Sequence, residues 1–144
     1  FAMQVGEVII RDDDLIASAN RAKPFWGFSY SPSVEVTVRP SSKLWIEASY
    51  DHSFLLDDMG GEQLSSEPIA RLQGRYFFSR DWNLRLIEDW DGYDDSLSTS
   101  VLLSYTPMPG TVFYAGYAQA QRLGSDAGVY ERSLFVKGSI LLGY

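Results

Sequence analysis

From about residue 25 onward, apolar and polar residues alternate with period two, which places successive side chains on opposite faces of an extended strand. Over residues 26–38, Trp26, Phe28, Tyr30, Pro32, Val34, Val36 and Val38 share one face. Gly27, Ser29, Ser31, Ser33, Glu35 and Thr37 share the other. The pattern then recurs. Leu44, Ile46, Ala48, Tyr50, Phe54 and Leu56 oppose Lys43, Glu47, Ser49, Asp51 and Ser53. Ala70, Leu72, Gly74, Tyr76 and Phe78 oppose Arg71, Gln73, Arg75 and Ser79. Trp82, Leu84, Leu86 and Trp90 oppose Asn83, Arg85, Ile87 and Asp89, with Glu88 as a charged intruder on the apolar side. Leu97, Val101, Leu103 and Tyr105 oppose Ser96, Ser98, Ser100 and Ser104. Val112, Tyr114, Gly116, Ala118 and Ala120 are placed on the apolar face, against Phe113, Tyr117, Gln119 and Gln121. Leu134, Val136, Ile140, Leu142 and Tyr144 oppose Ser133, Lys137 and Ser139. These segments predict seven strands, and residues 3–11 an eighth in which Val8-Ile9-Ile10 breaks the alternation.

The connections carry a second rhythm. Residues 39–42, 79–81 and 107–110 read as tight turns, rich in residues that preset turn dihedrals. Residues 12–23, 57–67, 91–95 and 122–130 read as longer polar loops. Strict alternation of short and long is the signature of transmembrane barrels, with short periplasmic turns and longer outer loops. The fold class expected is therefore all-β: an antiparallel up-and-down transmembrane barrel of about eight strands, or the last eight strands of a larger one. Residues 1–144 form a single barrel domain or a C-terminal barrel segment, with the C-terminus on the periplasmic side.

Alternation alone does not say which face is wet, and a soluble β-calyx binding an apolar ligand would also alternate. Three features favour the membrane. Several segments alternate over about 11–13 residues, whereas soluble strands mostly run about 5–6 and a tilted spanning strand needs about 9–11. The polar face is mostly Ser, Thr, Gly and Gln and also carries Phe25, Trp45, Phe77, Phe113, Tyr117 and Phe135, a poor surface for bulk water. Aromatics on the apolar face gather near strand ends: Trp26, Tyr30, Tyr76, Phe78, Trp82, Trp90, Tyr105 and Tyr144. That is where membrane-interface girdles sit. The chain also ends on Tyr144 after alternate apolar residues, similar to the C-terminal strand signal of outer-membrane proteins.

Two stretches carry a family resemblance: RYFFSRDWNLR over residues 75–85 and LSYTPMPGTVFYAGY over residues 103–117. Both resemble the last strands of large bacterial outer-membrane proteins in which a carbohydrate-binding-like (family 9-like) β-sandwich precedes a C-terminal barrel domain of unknown function. The resemblance spans roughly residues 68–144 and, less closely, 25–67. It implies an architecture and no activity. Members are several times longer, so it implies either a piece of a larger barrel or a short relative that closes with eight strands.

Composition narrows the chemistry. The chain has 144 residues, a net charge of −7, 15% aromatics and no Cys. The acidity argues against nucleic acid, and disulfides and thiolate metal sites are excluded. No segment has the roughly 20 apolar residues of a membrane helix, and no signal peptide is visible at Phe1.

The only His lies in Asp51-His52-Ser53, but alternation sends His52 to the face opposite its neighbours, so no local hydrolase triad forms. No catalytic residue and no cofactor is expected. Asp12, Asp13, Asp14, Asp57 and Asp58 are the candidates for holding a hard cation such as Ca²⁺ at lipopolysaccharide phosphates; a solvated loop surface is the plainer reading. Glu35, Glu47, Asp51, Arg71, Arg75, Arg85, Asp89 and Lys137 point inward and are expected to form a lumen charge network. If Phe78 opposes Trp82, Arg71 opposes Asp89 and Arg75 opposes Arg85. In a small closed barrel such charges must pair; in a wider one they line a porin-like channel.

The functional expectation is a non-enzymatic barrel in the outer membrane of a Gram-negative bacterium. It would serve as scaffold or anchor, with lipid and lipopolysaccharide, and other envelope proteins, as its partners. A larger pore or transport barrel and the soluble calyx are the alternatives.

Overall fold

The structure, a computed structural model, describes residues 1–11, 13–19, 23–58, 61–124 and 127–140. The described residues are all-β apart from one short helix. The elements are β1 (Ala2–Ile10), α1 (Asp13–Ser18), β2 (Phe25–Ser41), β3 (Leu44–Leu56), β4 (Gln63–Phe77), β5 (Trp82–Asp91), β6 (Ser96–Met108), β7 (Thr111–Arg122) and β8 (Gly128–Ile140). The strands form one antiparallel up-and-down sheet in the order β1-β2-β3-β4-β5-β6-β7-β8. The sheet is not closed: among the described residues no ladder joins β1 to β8.

Local boundaries differ from the sequence expectation where alternation runs into a turn signal. The β2–β3 turn shrinks to residues 42–43, because Arg39-Pro40-Ser41 stays extended. β4 starts at Gln63 and takes in the last five residues of the expected loop, since Leu64, Ser66 and Pro68 continue the alternation of Ala70. The loop 57–62 is correspondingly shorter. The expected first loop contains α1, whose opening Asp13 and Asp14 complement the positive end of a helix dipole. Residues 78–81 and 92–95 are connections of equal length, so short and long alternate less strictly than expected. The eighth strand, expected over residues 3–11, is β1, held to β2 from Ala2↔Ser33 to Ile10↔Phe25.

Packing divides the chain into two compact regions, residues 1–35 with 50–69 and residues 36–49 with 70–144. The first contains the buried hydrophobics found among the described residues, Ile10 and Ile16. Ile10 occupies space beside Gly27, where an added Cβ would lie 2.4 Å from Ile10 Cδ1 and 2.8 Å from the Leu56 carbonyl oxygen. Only glycine allows that approach. The pair sits on the polar side of β2, so what this region buries lies behind its serines. In the second region no described hydrophobic is buried; Ser104 and Thr111 are its buried polar residues.

Candidate functional site: an apolar face and a charged face

In the second region the registers of β5 through β8 sort every side chain into rows. Trp82↔Tyr105, Tyr105↔Phe113 and Phe113↔Gly138 make one row. Leu84, Leu103, Ala115 and Val136 make the next, then Leu86, Val101, Tyr117 and Leu134. The fourth row is polar on all four strands: Glu88, Thr99, Gln119 and Arg132. This face thus runs from an aromatic belt through two apolar rows to a polar rim.

The rows reverse the expected assignment of β7. Phe113, Tyr117, Gln119 and Gln121 lie on the apolar face, and Val112, Tyr114, Gly116, Ala118 and Ala120 on the polar one. β7 carries rings on both sides and small residues on one, so its own pattern has no clear polarity; the neighbours decide it. Ring geometry agrees. Trp82 stacks on Tyr105 with centroids 4.3 Å apart, and Tyr105 lies 6.3 Å from Phe113. On β4, Tyr76 and Phe78 meet edge to face at 5.0 Å. Phe113 is thus a belt aromatic that alternation placed on the wrong side. Large side chains on this face are open to their surroundings, with Leu134 81% and Val136 79% exposed on β8. Toward β3, an apolar depression of about 260 Å³ is lined by Leu44, Ile46, Leu72, Tyr76, Leu84 and Leu86 among others.

On β5, β6 and β7 the polar groups set within the apolar face bond to one another. The Thr99 hydroxyl donates to Glu88 Oε2 at 2.7 Å, which accounts for the charged intruder. Tyr117 donates to Gln119 Oε1 at 2.6 Å, and Gln119 Nε2 to Gln121 Oε1 at 3.1 Å.

The first region repeats the arrangement around His52. Its Nδ1 is 3.0 Å from the Tyr50 hydroxyl and its Nε2 is 2.8 Å from Ser66 Oγ. Phe54 stacks on the imidazole at 3.8 Å and on Tyr30 at 4.5 Å. Ser53 instead meets Ser31 at 3.0 Å. Asp51-His52-Ser53 is therefore no triad: the imidazole is a bonded member of an aromatic cluster. Trp26, 64% exposed, stands at the start of β2, where it pairs with Ile9. Trp90 pairs with Leu97 at the far end of β5. Tyr144 lies outside the described residues, as do Leu142 and Asp12.

The opposite face of the second region carries the charges. The Phe78 amide donates to the Trp82 carbonyl at 3.1 Å. Counting back along both strands puts Arg75 opposite Arg85 and Arg71 opposite Asp89. Arg71 Nε lies 3.3 Å from Asp89 Oδ1. Arg75 takes a different partner, its guanidinium carbon lying 5.8 Å from the Trp45 ring centroid. Among the described residues no carboxylate pairs with Arg75, Arg85 or Lys137. Glu47 also makes no ion pair there, nor do Glu35 and Asp51, which belong to the first region. Of the eight charges expected to form a network, Arg71 and Asp89 make an ion pair, Arg75, Arg85 and Lys137 line one groove, and Glu35, Glu47 and Asp51 join neither among the described residues.

A groove of about 500 Å³ is lined by Arg75, Arg85 and Lys137 together with Asn83, Leu102, Ser104, Thr106, Val112, Tyr114 and Phe135. Its floor is closed over Gly116, where an added Cβ would come within 2.3 Å of the Phe135 ring. Of the loop acids, Asp13 opens α1, and Asp14, Asp57 and Asp58 each have interactions of their own. Among the described residues no three His, Asp or Glu side chains gather as a metal site.

Comparison of the chain with family models, with curated proteins and with solved structures returns no match.

Proposed function

We propose that the protein is a non-enzymatic outer-membrane β-barrel that serves as a membrane-embedded scaffold or anchor, its apolar rows against lipid and its charged face turned inward. The observation that carries this reading is the apolar face of β5–β8. It holds two uninterrupted apolar rows between an aromatic belt and a polar rim, and among the described residues no hydrophobic on it is buried. A soluble sheet buries such a face; lipid solvates it. Hydrogen-bonding of Glu88 and Gln119 within that face, and of His52 to Tyr50 and Ser66 in the first region, fits a solvent that offers no partners of its own. Trp82 in the belt and Trp90, one row beyond the polar one, are eight residues apart, about 27 Å along a strand, or about 20 Å along the normal at a tilt of roughly 40°, against an apolar band of roughly 25 Å; the Glu88 row lies inside that span, where it needs its own hydrogen bonds.

In this proposal β1 and β8 pair in the bilayer and remove both open edges, as a spanning sheet must. The second reading, that the chain is part of a larger pore barrel of the family it resembles, is favoured by the outer edges of β1 and β8, which among the described residues carry no ladder. It places Arg75 and Arg85 on a channel wall.

Detergent dependence tests the membrane reading: the purified chain should aggregate without detergent and be monodisperse with it. A chain that stays monodisperse in plain buffer overturns it. Heat-modifiable gel migration of the isolated chain is the expected sign of self-closure. Its absence, together with conductance of the full gene product in planar bilayers, would favour the larger pore.

A further inference from the structure

The polar face of the second region contains an arrangement that its own residues leave unbalanced. Arg75 and Arg85 stand opposite each other on β4 and β5, and like charges in that relation destabilise a sheet. Four residues away on the same two strands, Arg71 meets Asp89 at 3.3 Å. Among the described residues no carboxylate pairs with Arg85. β6 and β7 supply Leu102, Ser104, Tyr114 and Gly116 at the corresponding rows, and β8 adds a third cation, Lys137, directly across from Tyr114. β5 and β8 are three strand spacings apart, about 14 Å, and two long basic side chains facing inward from them line one groove.

We propose that this groove is a binding site for a phosphate-bearing anion. Three cations call for more than the single charge of a carboxylate. A phosphoryl group brings two, a diphosphate up to three, with acceptor oxygens enough for both guanidinium forks. The Ser104, Thr106 and Tyr114 hydroxyls along the wall are neutral donors suited to the remaining oxygens. The volume of about 500 Å³ is that of a small-molecule site. The site does not rest on the membrane reading, because its residues lie on the face opposite the apolar rows. The anion is either a free phosphate compound or a lipid headgroup, and the experiment separates the two.

The full chain, in alkyl maltoside (or in plain buffer should it prove soluble there), is titrated calorimetrically with pyrophosphate and, separately, with acetate. Pyrophosphate should bind at least tenfold more tightly than acetate and weaken as salt is raised. The double variant R85Q/K137Q should lose at least tenfold in pyrophosphate affinity. The charge-keeping R85K/K137R should stay within about threefold, as should R132Q on the other face. Circular dichroism identical to the parent establishes that each variant is folded. Repeating the titration in bilayer discs assigns the source: a tenfold competition by phosphatidylglycerol over phosphatidylcholine means a headgroup occupies the groove, and no competition means a free anion does. Absence of pyrophosphate binding, equal affinity for acetate, or equal affinity in parent and R85Q/K137Q would overturn the proposal.

Discussion

On the apolar face of β5–β8, Glu88 accepts from Thr99, and Gln119 is held in a chain between Tyr117 and Gln121. On the face behind it, Arg75 and Arg85 confront each other and neither has a carboxylate partner among the described residues. On the first face Glu88, Thr99, Tyr117, Gln119 and Gln121 satisfy one another, and Arg132 at the β8 end of the polar row is the charged group without a carboxylate partner among the described residues. The second tolerates unpaired charge, which is cheap only where water or a ligand is present. The same strands build both, so the difference lies in what each side meets. In this reading the apolar side meets lipid, and the charged side meets water and an anion.

A charge placed in an apolar row should have the largest effect on that contrast. L103R sits in the middle of the apolar face, and S100R lies on the other side of the same strand. In phospholipid vesicles, urea unfolding should show L103R destabilised by about 2–4 kcal/mol, the cost of Arg near a bilayer midplane. S100R should differ from the parent by less than about 1 kcal/mol. Equal losses in the two variants would mean that the faces are not solvated differently.

Packing on the charged face gives the next effect. Gly116 lies under the Phe135 ring, so G116A should cost about 1–3 kcal/mol through overpacking in the same measurement. F135L should recover part of that loss in the double variant. Additive losses would show that the ring does not rest on Gly116.

Glu88 and Thr99 test the internal satisfaction of the apolar face. T99V leaves the Glu88 carboxylate without its donor and should cost about 1–3 kcal/mol. E88L/T99V removes both partners and should be nearly neutral. If T99V is harmless in vesicles, Glu88 is reaching water and the polar rim lies outside the bilayer.

Alternation was enough to read the strand content and most side-chain directions: β2, β5, β6 and β8 have the faces their residues announce. It failed at β7, where Phe113 and Tyr117 on one side and Val112 and Tyr114 on the other weigh about equally. There the face is imposed by the Tyr105↔Phe113 register, a relation between strands that no single-strand pattern contains. α1 was missed because a six-residue helix is too short to express a helical period. The Arg71–Asp89 pair was legible because a tight turn transmits register from Phe78 and Trp82. The basic groove was legible only in part. Arg75 opposite Arg85 follows from that turn, but Lys137 joins them through three further strand pairings and the β7 face that alternation misassigned.

The smallest effect discriminates most finely, because it reports on the charged face itself. Arg71 and Asp89 side chains are 51% and 43% exposed. An ion pair so open to solvent is worth at most about 1 kcal/mol and weakens with salt. A double-mutant cycle of R71Q and D89N should therefore give a coupling below about 1 kcal/mol, reduced further at 1 M salt. A lumen that closes and dries around these strands gives another result: breaking one partner would leave a buried charge and cost about 3–5 kcal/mol, insensitive to salt. The salt dependence separates the two more clearly than the magnitude, since screening reaches only a pair that water reaches. A salt-sensitive coupling keeps this face wet, and an anion can then reach Arg75 and Arg85 from solution. A salt-insensitive one would require those cations to find their counter-charge within the barrel.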